Sequence, residues 1–402
     1  MNAPLFLLNN NANQAYFGYG VQAHLQFDDQ VDLDAVDAFI AKQKEEHIFT
    51  LLAYDLKNSV EQLHSNHHTV TPAPHLLMVV PEVIVKEENG MITCVKGEWT
   101  EELQQIFQNL KETKSHSDYP FTFQAQTTQA DYLQTVKQLQ HHIQIGDIYE
   151  VNYCQNFVSK NNAPFDPKSI YQTVNGVTGA PFSAYVEWEN FALACGSPER
   201  YIEKKGEIIR SQPIKGTAKR GQTEAEDENI KTQLYNDPKE RAENVMIVDL
   251  VRNDLSRIAQ KGSVHVPELF GIYTFPTVHQ MISTIECKVD ESVTFGDILK
   301  ATYPMGSMTG APKIRAMHLI EQYENFKRGI YSGSVGILFP NGDFDLNVVI
   351  RSIVMNLETY SLTCSVGGAI TIDAIPENEW NECKTKISRI LAPFQCQSEI
   401  WK

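Results

Sequence analysis

The chain has 402 residues, of which 42% are hydrophobic and 21% are charged, and its formal net charge at pH 7 is −16. This composition is typical of a globular protein that folds as one large domain or as two. The acidic balance argues against nucleic acid and anionic membranes as partners, because both attract clustered Lys and Arg. We therefore expect neither of them as a partner.

The first ten residues and the cysteines indicate the cellular compartment of the protein. The N-terminal stretch lacks the basic start and the long apolar run of a signal peptide, and no apolar stretch reaches transmembrane length. Seven scattered cysteines, an odd number, include no Cys-x-x-Cys pair. These features predict reduced thiols and a location in the cytoplasm.

The first part of the chain mixes short apolar runs with polar segments. Residues 101–114 have a helical pattern, and the stretch Ser-His-Ser-Asp-Tyr-Pro at residues 115–120 interrupts it as a linker would. We therefore predict an N-terminal region over residues 1–120 that packs on a catalytic domain over residues 125–395.

The rest of the chain mixes helices with runs of strands. A helical pattern over residues 128–145 is closed by Gly146. Strands are predicted at residues 147–154, 182–188, 191–195, 199–204, 331–339, 344–355 and 360–366. Gly206 and the Asn341-Gly342 pair would form hairpin turns. Successive strands joined by short turns indicate antiparallel sheets, so the predicted fold class is α+β.

One lysine is a possible nucleophile. The motif Pro-Ile-Lys-Gly-Thr at residues 213–217 follows a hairpin, and Gly216 would let the backbone approach a ligand closely. Lys215 is then held inside the fold, where burial beside Ile214 and nearby cations would lower its pKa and free its amine. The alternative is a surface lysine in a turn, which is the usual environment of lysine.

Two predicted helices each carry a pair of glutamates. The first helix begins at the Asp-Pro-Lys-Glu stretch of residues 237–240 and presents Glu240 and Glu243 on one face. The second begins near Pro376 and presents Glu379 and Glu382 beside an apolar stripe. Either pair alone could simply favour a helix dipole. Two converging pairs would instead offer oxygen ligands suited to Mg²⁺.

Other residues could bind anionic oxygens. The Gly-rich stretch at residues 306–312 precedes a helical pattern, and a helix start of this kind offers free amides to carboxylates. Gly367 and Gly368 could supply further amides at the end of a strand. Arg351, predicted within a strand of apolar neighbours, could form a forked pair with a carboxylate.

Several longer motifs occur together in this sequence. They are Gly-Ser-Pro-Glu-Arg at 196–200, Pro-Ile-Lys-Gly-Thr at 213–217, the 242–254 helix segment, Gly-Ala-Pro-Lys at 310–313, Arg-Gly-Ile-Tyr-Ser-Gly at 328–333 and the 367–386 segment. The set resembles the chorismate-utilising enzymes, which include anthranilate synthase component I, isochorismate and salicylate synthases and aminodeoxychorismate synthase component I. The resemblance implies two stacked antiparallel sheets, clad by helices, around a buried site.

The resemblance also implies roles for individual residues. Glu240, Glu243, Glu379 and Glu382 match the acids that hold Mg²⁺, and Glu199 matches a general acid that protonates the departing C4 hydroxyl. The positions that match the substrate-binding set are Thr217, Thr309, Gly310, Tyr331, Arg351, Gly367, Gly368 and Lys386. His279 matches a catalytic histidine near the ring, with a hydrogen-bonded core histidine as the alternative.

Position 215 indicates the branch of the family. Members that resemble anthranilate synthase usually have Ala there, whereas Lys215 resembles the aminodeoxychorismate synthases. The resemblance implies an aminotransferase-class reaction in folate and p-aminobenzoate synthesis, in which Lys215 adds at C2 of chorismate and ammonia then enters at C4. The product would be 4-amino-4-deoxychorismate.

Two positions depart from the family pattern. Glu150 stands where ammonia-using members often have Gln and where water-using members have Lys, so the water-using branches are disfavoured. Leu7-Leu8-Asn9-Asn10 replaces the Leu-Leu-Glu-Ser of members that bind tryptophan, so we do not expect tryptophan binding.

No cysteine lies in the Gly-x-Cys-x-Gly setting of a glutaminase. We therefore expect ammonia to come from solution or from a separate glutamine amidotransferase subunit. Two alternatives remain open at this point: anthranilate synthase component I, and a catalytically inactive relative that serves as a binding or regulatory subunit.

Overall fold

The computed structural model describes residues 3–61, 63–160, 163–275 and 278–394. The strands are β1 (Leu5–Asn9), β2 (Gln14–Tyr19), β3 (Ala23–Phe27), β4 (Ile48–Leu52), β5 (Leu76–Val80), β6 (Val83–Glu88), β7 (Met91–Lys96), β8 (Gln124–Ala125), β9 (Glu150–Lys160), β10 (Phe182–Trp188), β11 (Phe191–Ser197), β12 (Arg200–Lys205), β13 (Ile208–Gln212), β14 (Ile214–Lys219), β15 (His265–Thr274), β16 (Val278–Lys288), β17 (Gly310–Ala311), β18 (Ser334–Leu338), β19 (Phe344–Asn347), β20 (Ser352–Asn356) and β21 (Ser361–Ile370). The helices are α1 (Leu33–Lys42), α2 (Lys57–Val60), α3 (Glu101–Lys111), α4 (Gln129–Gln144), α5 (Pro167–Thr178), α6 (Glu224–Asn236), α7 (Pro238–Ser256), α8 (Phe295–Thr302), α9 (Lys313–Tyr323) and α10 (Pro376–Leu391).

The strands form two antiparallel sheets. The first sheet has the order β17-β9-β21-β20-β11-β10-β1-β2-β6-β7, with β8 paired to β9. The second has the order β14-β16-β13-β12-β19-β18-β4-β5-β3, with β15 paired to β16. These sheets confirm the predicted α+β class.

The two sheets pack face to face, and helices cover their outer faces. One buried cluster joins Phe6 and Val186 of the first sheet to Phe49 and Ile337 of the second. A second cluster packs α3, α4, α5 and α10 on the first sheet, and a third packs α1, α7 and α8 on the second. Burial of apolar side chains between these layers is the main favourable contribution to folding.

Many predicted elements are confirmed. The helix predicted over residues 128–145 is α4, which begins after its N-cap Thr128 and is followed by Gly146 with φ of 83°. Hairpins form at the predicted turns, because β12 pairs with β13 across Gly206 and β18 pairs with β19 across Asn341 and Gly342. In each turn the glycine has positive φ, as glycine readily does.

The strand predicted over residues 344–355 is wrong as a single element. It divides into β19 in the second sheet and β20 in the first. Between them Arg351 has φ of 51°, a left-handed backbone that ends the extended run. Arg351 therefore lies at a crossing between the sheets, not within a strand as predicted, because an unbroken apolar run does not show where a chain changes sheets.

The boundary predicted near residues 115–125 stays a prediction, and strands from both sides of it pair in both sheets.

Within the described ranges no helix is long and apolar enough to cross a membrane. Cys94, Cys154, Cys195, Cys287 and Cys383 have free thiols, and Cys396 lies outside the described residues.

Candidate active site

A cavity of about 460 Å³ collects most of the residues singled out in the sequence. Its volume lies in the range of about 300–1,000 Å³ that is typical of small-molecule sites. The predicted residues that line it are Glu199, Lys215, Thr217, Glu240, Glu243, Tyr331, Arg351, Gly367, Gly368, Glu379, Glu382 and Lys386. Strands of both sheets and the helices α7 and α10 therefore line the same cavity.

A bulge in β14 presents Lys215. The pairing of β14 with β16 is regular from Thr217 onwards but shifts register between Ile214 and Thr217. Gly216, inside this irregular stretch, has φ of 93°, which glycine adopts without strain. Bulges of this kind change the direction of a side chain. The Lys215 side chain is only 12% exposed and lines the cavity, so it is not the surface lysine of the alternative interpretation.

Lys215 forms an ion pair with Glu150. Its Nζ donates to Glu150 Oε1 at 2.9 Å, and the glutamate side chain is 8% exposed. Burial alone lowers the pKa of Lys215, but the negative charges of Glu150 and Glu243 and the hydrogen bond to Glu150 outweigh it and raise the pKa above its ordinary value. The predicted decrease in this pKa is therefore wrong, because the sequence did not show that a carboxylate contacts the amine.

Glu199 lies between β11 and β12 and is almost fully buried. Its backbone N–H donates to Ser197 Oγ at 3.1 Å, and its carbonyl accepts from the N–H of Val348. Burial raises the pKa of Glu199 to about 7, although the Ser307 hydrogen bond and the charges of Lys215 and Arg351 oppose the shift. A carboxyl group with this pKa is protonated in about half of the molecules at pH 7 and can donate that proton.

Helix α7 carries the first pair of glutamates. The Asp237 side chain caps it by accepting from the N–H groups of Lys239 and Glu240, and Pro238 occupies the first turn. The cap places Glu240 and Glu243 at the start of the helix, where its positive end favours their charge. A Cβ on Gly216 would lie only 3.2 Å from Glu240 Oε2, so this carboxylate lies against the bulge that presents Lys215.

Helix α10 carries the second pair. It begins at Pro376 as predicted and buries the predicted stripe, which consists of Trp380, Cys383, Ile387, Ile390 and Leu391. Glu379 is buried, and a Cβ on Gly368 would lie 3.5 Å from its Oε2. Glu382 pairs with Lys386 at 2.7 Å. The four glutamates thus face one cavity from two helices.

The four carboxylates repel one another. Burial and then the charge of Glu382 raise the pKa of Glu379 to about 7. Burial and neighbouring acids also raise the pKa of Glu240 and of Glu243. Burial opposes ionisation of Glu382 as well, but Lys386 outweighs it and lowers that pKa. This end of the cavity therefore carries more negative charge than its own cations neutralise.

A lysine lies between the two pairs. Lys239 Nζ is 3.8 Å from Glu243 on its own helix and 3.9 Å from Glu379 on α10. Among the residues that the structure describes, no three His, Cys, Asp or Glu side chains form a ready-made metal cluster. The donor set nevertheless fits a hard cation, because it consists of carboxylate oxygens whose repulsion a divalent ion would relieve.

Cationic side chains also line the cavity. Arg351 lines it and has no ion pair among the described residues, and Arg389 of α10 also faces it. Burial, and then the charge of Arg389, lower the pKa of Arg351. Lys386 donates to the carbonyl oxygen of Gly367 at 3.0 Å. Unpaired guanidinium groups here could bind carboxylates of a ligand.

The Gly-rich stretch at residues 306–312 opens a helix as predicted, because α9 begins at Lys313, directly after it. Within the stretch, residues 306–308 form a short 3₁₀ turn, and Gly310 and Ala311 pair with β9. Thr309 is buried and its hydroxyl donates to backbone carbonyls of the turn. Neither Thr309 nor Gly310 lines the cavity, whereas Ser307 and Met308 do.

Gly310 instead permits a close contact between strands. A Cβ at this position would lie 2.2 Å from the carbonyl oxygen of Glu150, so only glycine lets β17 approach β9 here. The same contact fixes the position of Glu150, the first residue of β9, which pairs with Lys215.

His279 faces away from the cavity. Its strand neighbours Val278 and Gln280 line the cavity, and alternate residues of a strand point to opposite faces. The buried ring instead lies 2.8 Å from Asp227 Oδ1 and 3.0 Å from Thr274 Oγ1. The alternative interpretation, a hydrogen-bonded core histidine, describes this position.

The cavity residues missed in the sequence include Lys239, Ser307 and Arg389. Arg389 follows Lys386 by three residues and Glu382 by seven, so helical spacing could have placed it on the same face. Lys239 lies directly beside Glu240, but its long side chain had no visible partner before α10 was placed next to α7. Ser307 could not be found from spacing, because it lies in a 3₁₀ turn that leaves no periodic pattern in the sequence.

The comparison with protein families is decisive for membership. Residues 3–392 match the model of the chorismate binding enzymes, which is nearly the whole chain. The chain belongs to this family. The resemblance seen in the sequence motifs is thereby confirmed, and the match extends over the N-terminal region as well.

Curated relatives carry two different names. Aminodeoxychorismate synthase component 1 of Escherichia coli (strain K12) is 40% identical over 274 residues, which are 68% of this chain and 59% of that protein. Anthranilate synthase component 1 of Aquifex aeolicus (strain VF5) is 35% identical over 272 residues, which are 68% of this chain and 54% of that protein. The matches thus span less than two thirds of these relatives' own lengths.

A solved structure confirms the fold. Anthranilate synthase component I from Streptococcus pneumoniae TIGR4 superposes with a TM-score of 0.80 at 24% identity, covering 95% of this chain and 92% of that one. The predicted architecture of two stacked sheets clad by helices is therefore confirmed.

Proposed function

We propose that this protein aminates chorismate at C4 with ammonia and forms 4-amino-4-deoxychorismate, in the synthesis of p-aminobenzoate and folate. The observation that carries the proposal is the buried amine of Lys215 on the wall of a cavity that also contains Glu199, a buried carboxyl group with a raised pKa. Family membership and the names of relatives such as the Escherichia coli protein support the choice of substrate and reaction.

The reaction begins with addition of the Lys215 amine at C2 of the ring. The C4–O bond breaks as Glu199 gives its proton to the departing hydroxyl, which leaves as water. Ammonia then adds at C4 and the C2–N bond breaks, which returns the amine of Lys215. The amino group replaces the hydroxyl at C4, so the sum is chorismate plus ammonia giving the amino product and water.

The charges of the cavity suit a dicarboxylate. Arg351 and Arg389 would bind one carboxylate, and Lys386, which pairs with Glu382, could bind another beside the acidic end. We propose that Glu240, Glu243, Glu379 and Glu382 hold Mg²⁺ at the acidic end. When bound, this ion would supply a positive charge that holds a carboxylate of the substrate and favours its ionised form.

The source of ammonia is part of the proposal. The relatives are named component 1, which supports a partner subunit. We propose that a separate glutamine amidotransferase supplies ammonia, as none of the described cysteines lies in the Gly-x-Cys-x-Gly setting of a glutaminase. Five of the six are buried, and Cys94, which is exposed, has its thiol directed to the backbone carbonyls of Lys96 and Gly97.

Anthranilate synthase component 1 remains the second possibility, because the Aquifex aeolicus protein of that name is 35% identical. The two activities differ in their products. Incubation with chorismate, Mg²⁺ and ammonium, followed by mass spectrometry, should give 4-amino-4-deoxychorismate. Release of pyruvate with a fluorescent aromatic product would contradict the proposal.

The role of Lys215 has its own test. In Lys215→Ala we expect amination at C4 to fall below detection, because no nucleophile remains to add at C2. Without ammonia, the wild-type peptide that holds Lys215 should gain the mass of a trapped adduct. Lys168→Ala is the matched control, since Lys168 forms a 2.9 Å pair with Glu187 outside the cavity. Wild-type turnover in Lys215→Ala would refute the covalent mechanism.

A further inference from the structure

The Lys215–Glu150 pair joins the two sheets. Glu150 is the first residue of β9 in the first sheet, and Lys215 belongs to β14 in the second. The 2.9 Å contact between Nζ and Oε1 is the hydrogen bond described for this amine, and both side chains are largely buried. The pair therefore fixes the amine from the side of the opposite sheet.

Glu150 contacts the amine but not the space where a substrate would lie. Asn152, two residues further along the same face of β9, lines the cavity, whereas Glu150 does not. At 2.9 Å from Nζ its carboxylate can exchange a proton with Lys215 directly.

The proposed reaction needs a proton acceptor at this point. A lysine attacks only as the free amine, yet four acidic side chains surround Lys215, and those that are ionised favour its charged form. They are Glu150 of β9, Glu199 before β12, Glu243 of α7 and Glu382 of α10. Burial is the single opposing effect, and it is outweighed.

The other three acidic side chains have different proposed roles. Glu199 must hold a proton to act as the acid, and Glu243 and Glu382 belong to the acidic end that faces the proposed Mg²⁺. Of the four, Glu150 alone has a described hydrogen bond to Nζ. A proton transfer over this bond needs no intervening water.

We propose that Glu150 is the general base that takes a proton from Lys215 before the attack and returns it after lysine is expelled. This inference rests on the proposed function, since it assigns a step of that reaction. The Nζ–H bond breaks as Glu150 becomes a carboxylic acid, and rotation about the last side-chain bond turns the lone pair towards the ring. When the C2–N bond breaks, its electron pair returns to Nζ, which then accepts the proton held by Glu150.

The test uses Glu150→Gln, which keeps the shape and the hydrogen bond but cannot accept a proton. Competitive acetylation of lysines at a series of pH values, read by mass spectrometry of the Lys215 peptide, reports the fraction of free amine without any turnover. We expect Lys215 to be acetylated at lower pH in this variant, since a negative charge has been removed. Its kcat should nevertheless fall by about 10²–10⁴-fold, the usual contribution of a general base.

Only the role of general base predicts that Glu150→Gln has a more reactive Lys215 amine and yet a lower kcat. A glutamate that only holds the lysine at rest would give a variant at least as active as the wild type, and that result would overturn the proposal. An unchanged acetylation profile would also overturn it, as the pair would then not govern the proton. Glu187→Gln, which breaks the Lys168 pair outside the cavity, should change neither readout at Lys215.

Glu150→Asp provides a second variant if the glutamine variant does not fold. It retains a carboxylate one methylene group shorter, so we expect a kcat between those of the wild type and Glu150→Gln. An aspartate variant no faster than a glutamine or alanine variant would contradict the role of base. Failure of the proposed function is distinguishable, because the wild type would then release pyruvate with a fluorescent aromatic product instead of 4-amino-4-deoxychorismate, whatever the acetylation profiles show.

Discussion

At the scale of single residues, burial and neighbouring charges set the pKa values of Glu199 and Lys215. One of these pKa values suits the proposed role of its residue and the other opposes it. Glu199 holds a proton because burial outweighs the cations around it, which suits an acid. Lys215 holds a proton because carboxylates outweigh burial, which does not suit a nucleophile. The amine of Lys215 therefore needs a base to remove its proton, whereas Glu199 needs no second group to supply one.

The pH dependence of the reaction follows from Glu199. Its pKa is about 7, so the protonated fraction falls as the pH rises through 7, and we expect kcat/KM to decrease above that pH. Glu199→Gln removes the proton donor and should lower the rate by about 10²–10⁴-fold. Glu203→Gln is the control, because Glu203 is a buried carboxylate paired with Arg200 and Arg210 away from the cavity. Wild-type turnover in Glu199→Gln would assign the proton to another group.

Sequence reasoning succeeded for residues whose chemistry depends on neighbours in the chain. Lys215, with Gly216 after it, and the glutamate pairs three residues apart could be recognised from spacing. The partner of Lys215 could not, because Glu150 lies 65 positions earlier on another sheet and meets it only after both sheets have formed. The orientation of His279 likewise depends on the register of β16, which the sequence does not specify.

At the scale of elements, α7 and α10 divide the acidic end of the cavity between them. Both helices were predicted with their first turns in place, since Pro238 and Pro376 mark helix starts. What the sequence could not show is that Lys239 of α7 reaches Glu379 of α10, a contact between helices distant in the chain. That contact is evidence that a cation is favoured between the two elements.

Mg²⁺ should therefore stabilise the folded protein by bringing these helices together. A ligand that binds only the folded state at a hundred times its Kd adds about 2.7 kcal/mol to the free energy of unfolding. We expect Mg²⁺ to raise the Tm in thermal unfolding, and to do so more at pH 8 than at pH 6, since Glu379 with a pKa of about 7 must lose its proton to bind a cation. This readout requires no turnover.

Variants should locate the effect. Glu243→Gln and Glu382→Gln each remove one carboxylate from a different helix, and we expect either change to abolish most of the Mg²⁺-dependent shift. Asp249→Asn is the matched control, because Asp249 is an exposed acid on α7 that pairs with Arg252 outside the cavity. A wild-type Tm that does not respond to Mg²⁺ would count against the proposed metal site.

At the scale of the whole molecule, the N-terminal region supplies central strands to both sheets. In the first sheet β1 lies between β10 and β2, and in the second β4 lies between β18 and β5. The cluster between the sheets combines Phe6 and Phe49 with Val186 and Ile337. The linker-like stretch at residues 115–120 was recognisable in the sequence, but the pairing of strands across it was not, because register between distant strands leaves no local pattern.

We therefore expect residues 125–395, expressed alone, not to form the native sandwich. Without residues 1–120 the edges of β10 and β18 lose their partners, and the inner faces of both sheets lose part of their apolar cover. The full chain should unfold in a single cooperative transition, whereas the fragment should lack one by calorimetry and near-ultraviolet circular dichroism. The control is a full chain with a protease site inserted at residues 115–120 and cleaved after folding, which should keep the transition because every strand is still present. A fragment that unfolds cooperatively near the Tm of the full chain would instead show that the catalytic part folds independently, as a division near residue 120 would require.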